Sequence, residues 1–454
     1  MASTFVILLI ALLFFQAFLA TQIESLPHFE TIPDESCGYV EVRKGAFMFW
    51  LLYGADTSDS VPRADKPLLL WLQGGPGGSS TGFGNFEEIG PLDVNLEARN
   101  ETWIKQANVL FVDNPVGCGF SYVLDKSELT RNITGITSDF MIFFRAFLKK
   151  LPVFKTIPFY IAGESYGGKM VAAFGAALYE AIQERTIQCN FMGIALGDSL
   201  ISYPETVLSY GPYLFSLSLL DEKELQKVQQ LAMQIAKATV AGDYGSAIYF
   251  SDLQNNAIAK ATDNVDVYYV LMHNIPDFAV HENTSRLSSH QLFAQYTSRT
   301  QSDKLYKLMN GPIRKKLKII PDFVTWGGQS AMVAQAQQLD IPSSVLSDVG
   351  KLLQAGVQVV VYEGQLDMIC GVVGAESWIK KLTWDYLPQF LNSSRQPLYI
   401  PAPLQMKETA AFLKSFKNFE LYYILKAGHM VPIDAPEMAL EMLKNILHPE
   451  KIHH

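Results

Sequence analysis

Six short runs along the chain are almost continuously apolar, and each stops at glycine, proline or a polar cluster. They are LLLWLQ (68–73), NVLFVD (108–113), PFYIAG (158–163), FMGIALG (191–197), VQVVVYEG (357–364) and LYYILKAG (421–428). Their length and lack of polar alternation predict strands buried on both faces of a mostly parallel sheet. Between them the spacing turns helical. SDFMIFFRAFLKKL (138–151) predicts a helix capped by Ser138 and stopped before Pro152. GGKMVAAFGAALYEAIQ (167–183) predicts a second helix directly after the third run. From 199 to 344 the strand–helix rhythm fails, and helical stretches such as DEKELQKVQQLAMQIAKA (221–238) alternate with polar loops. This predicts a mainly helical insertion over the strand ends, where open α/β sheets bind ligands. The rhythm resumes with VLSDVGKLLQAG (345–356). The predicted class is therefore α/β, with a helix-flanked central sheet. Its core lies in two parts, 21–198 and 345–454, around the insertion 199–344.

The first twenty residues, MASTFVILLIALLFFQAFLA, are apolar but short for a membrane span, are interrupted by Gln16, and lack a basic stop-transfer flank. They predict a signal peptide covering residues 1–20, and no stable membrane anchor. Four sequons, at Asn100, Asn132, Asn283 and Asn392, agree with a secreted or lysosomal, N-glycosylated chain. Passage through an oxidising compartment raises the expectation of a disulfide among Cys37, Cys118, Cys189 and Cys370, although their spacing leaves the pairing open. The same spacing fits no zinc site, so no metal or cofactor is expected. With 49% apolar and 18% charged residues the 454-residue chain can bury a large core. Its net charge of −9, without a lysine- or arginine-rich run, argues against a nucleic-acid partner.

The third run leads into GESYGG (163–168), which meets the pattern G-x-S-x-G at Gly163, Ser165 and Gly167. Between a strand and a helix, this pattern forms a strained turn that lifts the serine oxygen clear of the sheet. Elsewhere it is an ordinary turn whose serine caps a helix. The α/β-hydrolase setting requires an acid and then a histidine downstream, each just past a strand end. Asp367, in GQLD (364–367), and His429, in KAGHMVP (426–432), satisfy that order. Taken singly, Asp367 reads as a turn former and His429 as a loop histidine. The glycine-rich loop WLQGGPGGSS (71–80) leaves the first run and offers backbone N–H groups to developing negative charge. It lacks the G-K-[ST] ending of a phosphate-binding loop.

In order and spacing, WLQGGPGGSS, DNPVGCGFSY (113–122), GESYGGK (163–169), GQLD and KAGHMVP resemble the serine carboxypeptidases. The resemblance covers essentially all of the chain after the leader. It implies an α/β-hydrolase fold and hydrolysis of C-terminal residues of peptides through an acyl-enzyme, with an acidic optimum. It implies Ser165 as nucleophile, His429 as base and Asp367 as its orienter, with the N–H groups of Gly75 and Tyr166 forming the oxyanion hole. The substrate's terminal carboxylate would be held by Gln73, Gly74 and Glu164, with Glu88 behind the latter. An unpaired cysteine near the substrate pocket corresponds to Cys370.

Three positions depart from the family pattern. Gln73 stands where asparagine is usual, Gly78 where many members have cysteine, and GGKMVA (167–172) where many read AGKYVP. Two other activities are compatible with the same motifs. One is acyl transfer to an alcohol, as in plant members that use sugar esters. The other is a mainly protective or binding role. A homodimer is left open by the sequence.

Overall fold

The computed structural model describes residues 32–273, 302–327, 330–401 and 407–448. The expected leader and Asn283 lie outside these residues. The strands are β1 (Glu35–Arg43), β2 (Ala46–Tyr53), β3 (Leu68–Leu72), β4 (Asn108–Val112), β5 (Tyr122–Val123), β6 (Pro158–Glu164), β7 (Asn190–Gly197), β8 (Gln358–Gly364), β9 (Gln396–Pro401), β10 (Lys407–Phe416) and β11 (Phe419–Ile424). They form one sheet in the order β1-β2-β4-β3-β6-β7-β8-β11-β10-β9, with β5 pairing on β2.

Strands β4, β3, β6, β7, β8 and β11 pair in parallel and make its centre. They are the six apolar runs of the sequence, and β3, β4 and β11 are buried at every position. Antiparallel pairs, β1–β2 and β9–β10, close the two edges. Strands β1 and β10 of these edge pairs are only half buried, so no continuous apolar run marked them. The apolar run of β2, AFMFWLLY, carries a strand signal as well, although it is not one of the six runs.

The helix expected from Ser138 starts a turn and a half earlier, at Ile133, because Asn132 caps it by accepting from the Gly135 N–H at 2.9 Å. The expected last strand stops at Ile424 rather than 428, and Lys426 turns the chain with φ of 61°. Between Gly197 and Gln358 the described residues contain no strand of the sheet. Helices Tyr203–Ser216, Glu222–Val240 and Tyr244–Ala261 dominate there. Among the described residues no helix is long and apolar enough to cross a membrane.

The expected disulfide does not form, and all four cysteines are free. Cys37 lies in β1, Cys118 in the loop after β4, Cys189 before β7 and Cys370 after β8, so separate elements hold them apart. The fold is held by its core instead. On one face of the sheet Phe140 stacks on Phe174 with centroids 4.0 Å apart, joining helices Ile133–Lys150 and Tyr166–Gln183.

Candidate active site

Ser165 occupies the single residue between β6 and the helix Tyr166–Gln183, with φ 62° and ψ −127°. A positive φ is costly for a residue with a Cβ. Three backbone bonds hold it: its N–H donates to Gly197 O at 3.0 Å, and its carbonyl accepts from Gly168 and Leu200, each at 3.1 Å. The neighbouring glycines are required by space. A Cβ on Gly167 would stand 2.3 Å from Leu72 O, and one on Gly168 would stand 1.7 Å from Ser199 Oγ. From Phe159 to Ala176, Ser165 is the only residue that is not buried. The turn presents one hydroxyl to the outside and nothing else.

Asp367 follows the end of β8 and His429 follows the end of β11, both at the carboxyl edge of the sheet. His429 Nδ1 and Asp367 Oδ2 are 2.8 Å apart, with both side chains fully buried. Asp367 also accepts from the N–H groups of Ile369 (2.9 Å) and Cys370 (3.2 Å). A carboxylate at Nδ1 selects the tautomer with the proton there, which leaves a lone pair on Nε2. Among the described residues Nε2, though buried, has no hydrogen-bond partner. The acid and the histidine are therefore joined, whereas the serine hydroxyl is not bonded to Nε2 in this arrangement. The insertion reaches this pair. Tyr268 packs edge-on to His429 with centroids 4.9 Å apart and accepts the His429 N–H through its carbonyl at 2.8 Å.

The glycine-rich loop after β3 lies against the serine, since a Cβ on Gly74 would come within 2.5 Å of Ser165 Cβ. Gly75 and Gly77 have φ of 116° and 103°, open only to glycine without strain. Asp113, fully buried at the end of β4, holds the far side of the loop. It accepts from Ser79 Oγ (2.8 Å), Thr81 N (3.0 Å), Thr81 Oγ1 (2.7 Å) and Phe120 N (2.8 Å). Tyr166 is the first residue of its helix, so its N–H has no acceptor within the helix.

Gln73 is buried and fixed at both ends. Its Oε1 accepts from Trp71 Nε1 at 3.0 Å, and its Nε2 donates to Glu164 Oε1 at 3.2 Å. Glu88 sits behind Glu164, and both are buried. Both Glu88 carboxyl oxygens and Glu164 Oε2 lack a donor when the groups are counted as ionised. Burial pushes Glu88 up to about 8. Burial and the neighbouring Glu88 hold Glu164 well above the usual carboxylate range. Two acids this close and dry share a proton, and Arg99 offsets only part of the shift at Glu88.

Sequence reasoning overlooked several acids that the fold brings to the site. Asp198 and Glu363 are fully buried beside Asp367. Asp434 accepts from the Gly428 N–H at 2.8 Å, and burial lifts it to about 6. Asp340 of the insertion accepts from Tyr166 Oη at 2.7 Å and pairs with the buried Lys169 at 3.2 Å. A signal existed only for Asp198 and Glu363, which end two apolar runs. The others stand in unremarkable polar loops.

Comparison with known proteins identifies the family. The family profile described as serine carboxypeptidase matches residues 27–449. The retinoid-inducible serine carboxypeptidase of Homo sapiens is 47% identical over 414 residues, covering 91% of each chain. The retinoid-inducible serine carboxypeptidase of Mus musculus is 48% identical, again over 91% of each. Serine carboxypeptidase-like 51 of Arabidopsis thaliana is 38% identical over 91% of this chain and 92% of its own. Among solved structures, a prohormone-processing carboxypeptidase from Saccharomyces cerevisiae superposes with a TM-score of 0.75 at 21% identity. That match covers 94% of this chain and 93% of the other, and it shows the common α/β-hydrolase fold. With a profile match across nearly the whole chain and relatives near half identical, the chain belongs to the serine carboxypeptidase family and is a hydrolase of that class.

Proposed function

We propose that Ser165, His429 and Asp367 carry out the hydrolysis and that Gln73, Gly74, Glu164 and Glu88 confine it to chain ends. Ser165 Oγ attacks the carbonyl carbon of the last peptide bond while His429 Nε2 takes the hydroxyl proton. Asp367 stabilises the imidazolium, and the N–H groups of Gly75 and Tyr166 receive the charge on the carbonyl oxygen. His429 then protonates the departing amine, and water, activated by the same nitrogen, releases the acyl group.

The observation that carries the exopeptidase reading is the acid pair beside the nucleophile. A protonated Glu164, held by Gln73 at 3.2 Å and immediately preceding Ser165, can donate to a carboxylate. An ionised one would repel it. Gln73 Nε2 keeps a second N–H for the same anion, because an amide nitrogen has two. The arrangement favours acid pH, where Glu88 and Glu164 together retain a proton. A cavity of about 280 Å³ bordered by Gly75, Pro76, Ile248 and Ile341 adjoins the loop and has room for the acyl side of the peptide.

The described helices of the 199–344 segment act as the cap over this site. The three described sequon asparagines, Asn100, Asn132 and Asn392, are exposed, which suits glycan attachment in a secretory or lysosomal setting. The test uses one acyl-dipeptide and its C-terminal amide at pH 5 and pH 7.5. Release of the last residue from the free acid alone, faster at pH 5, is expected. Equal cleavage of the amide would remove the carboxylate site.

A further inference from the structure

Asp198 and Glu363 stand at the ends of neighbouring parallel strands. Gly197 pairs with Tyr362 in the β7–β8 ladder, so the next residue on each strand is one of these two acids. Both are fully buried. Asp198 Oδ2 and both Glu363 carboxyl oxygens lack a donor among the described residues. Asp198, Asp367 and His429 each bring a polar atom within 4.8 Å of the others. Glu164 faces Asp198 from β6, Glu363 from β8, Asp367 and Cys370 from the loop after β8, and Tyr213 from the insertion. No lysine or arginine appears in that set.

The backbone gives Asp198 a further part. Its carboxyl Oδ1 accepts from the Gly364 N–H at 2.7 Å, and its own N–H donates to Tyr362 O at 2.9 Å. Gly364 begins the turn that carries Asp367, whose N–H returns to Gly364 O at 3.3 Å. At Gly364 the β8 end also crosses the chain before His429, where a Cβ would stand 2.0 Å from Gly428 O. One residue upstream, Gly197 O accepts the Ser165 N–H at 3.0 Å. Asp198 thus joins the strand end behind the nucleophile to the turn that bears the acid, and it does so at a φ of 38°.

We propose that Asp198 is a positioning residue for the Asp367–His429 couple, acting as a neutral carboxyl anchored to Gly364. This rests on Ser165, His429 and Asp367 being the reacting set. Three ionised carboxylates in one dry pocket without a cation would repel one another. A neutral Asp198 keeps the Gly364 anchor and leaves Asp367 the single negative charge next to the imidazole. Burial holds both Asp198 and Glu363 well above the usual carboxylate range, reinforced at Asp198 by Glu363 and Asp367 and at Glu363 by Asp367. When Asp198 ionises at higher pH, repulsion between Asp198 and Asp367 moves the turn and slows chemistry. This effect on kcat is separate from any effect of the Glu88–Glu164 pair on substrate binding.

The test is the rate of covalent labelling of Ser165 by a fluorophosphonate, which has no terminal carboxylate, from pH 4.5 to 8. Asp198→Ala removes the anchor and is expected to slow labelling on the order of 10²-fold, the scale of a small misplacement of reacting groups. On an acyl-dipeptide the same loss should fall on kcat rather than KM. Asp198→Asn keeps a carbonyl acceptor for Gly364 and cannot ionise. It should restore most of the rate at pH 5 and hold that rate toward pH 8, where the wild type declines. Glu363→Gln should flatten the profile in the same direction.

Labelling of Asp198→Ala at the wild-type rate would overturn the proposal. So would an Asp198→Asn variant as slow as the alanine at pH 5, or one whose profile parallels the wild type. If the alanine variant does not fold, the Asp198→Asn profile alone decides. A wild type that takes no label at Ser165 would overturn the assignment of the nucleophile, a result distinct from any of these.

Discussion

The Ser165 hydroxyl is the one group that the turn after β6 leaves reachable, and little packing depends on it. Ser165→Ala should therefore abolish peptide turnover and fluorophosphonate labelling while leaving the thermal melt unchanged. Residual catalysis from the oxyanion hole could amount to about 10³–10⁴ over water. Continued labelling at a single site would show that another residue is the nucleophile. Glu164 tests the recognition half of the site. On the proposed reading it shares a proton with Glu88 at acid pH and donates to the substrate, and as pH rises through the range where that pair ionises the donor is lost. Wild-type KM for an acyl-dipeptide should therefore climb toward neutral pH, with kcat changing less. Glu164→Gln keeps a donor at every pH, so its KM should be weaker in acid yet flatter. Parallel KM curves for the two proteins would exclude Glu164 from carboxylate binding.

At the scale of elements, the site depends on close approach between backbones and on one bridge from the insertion. A methyl group at Gly167 would meet Leu72 O at 2.3 Å, where neither backbone can yield without moving the serine or the glycine-rich loop. Gly167→Ala should cost about 1–3 kcal/mol, the range of an overpacked core, and lower kcat more than it lowers stability. The bridge is Asp340, which ties Tyr166 Oη (2.7 Å), Lys169 Nζ (3.2 Å) and the Ile133 N–H (3.0 Å) to the insertion. Burial lowers Lys169 to about 8, although Asp340 acts against that shift. Asp340→Ala would leave the lysine buried without its partner and should destabilise the fold by about 3–5 kcal/mol. Asp340→Asn, retaining the acceptor, should lose less in the same denaturant melt. Equal losses would assign the bridge to charge rather than to hydrogen bonding.

For the whole molecule, the buried acids set the pH dependence of stability. Burial raises Glu88 to about 8, Glu87 to about 7 and Asp434 to about 6. Because these folded values exceed the unfolded ones near 4, the folded chain binds more protons between the two. The stability they contribute is complete below about pH 4 and is lost as pH rises toward 8. Each such acid can contribute a slope of up to about 1.4 kcal/mol per pH unit within its window. Lys169 does not oppose this, since its own window opens only above pH 8. The melting temperature should be several degrees higher at pH 5 than at pH 7.5, measured by differential scanning calorimetry at matched ionic strength. A higher value at pH 7.5 would contradict the buried, protonated acids.

The apolar runs alone determined the central sheet, because strands buried on both faces need side chains that repel water at every position. The glycines around Ser165 and the order of serine, acid and histidine likewise placed the candidate reacting groups at strand ends. The half-buried edge strands were less legible, since neighbours rather than composition decide their pairing. The cap at Asn132 prevailed over Ser138 because only Asn132 sits where a free helical N–H needs an acceptor. The separation of the four cysteines was a matter of tertiary placement, for spacing along the chain does not bring sulfurs together. The same holds for charge. Glu88, Glu164, Asp198 and Glu363 look like ordinary acids in sequence, and only folding removes their water and sets them against one another. Protonation depends on distance and solvent, and neither exists until the chain has closed.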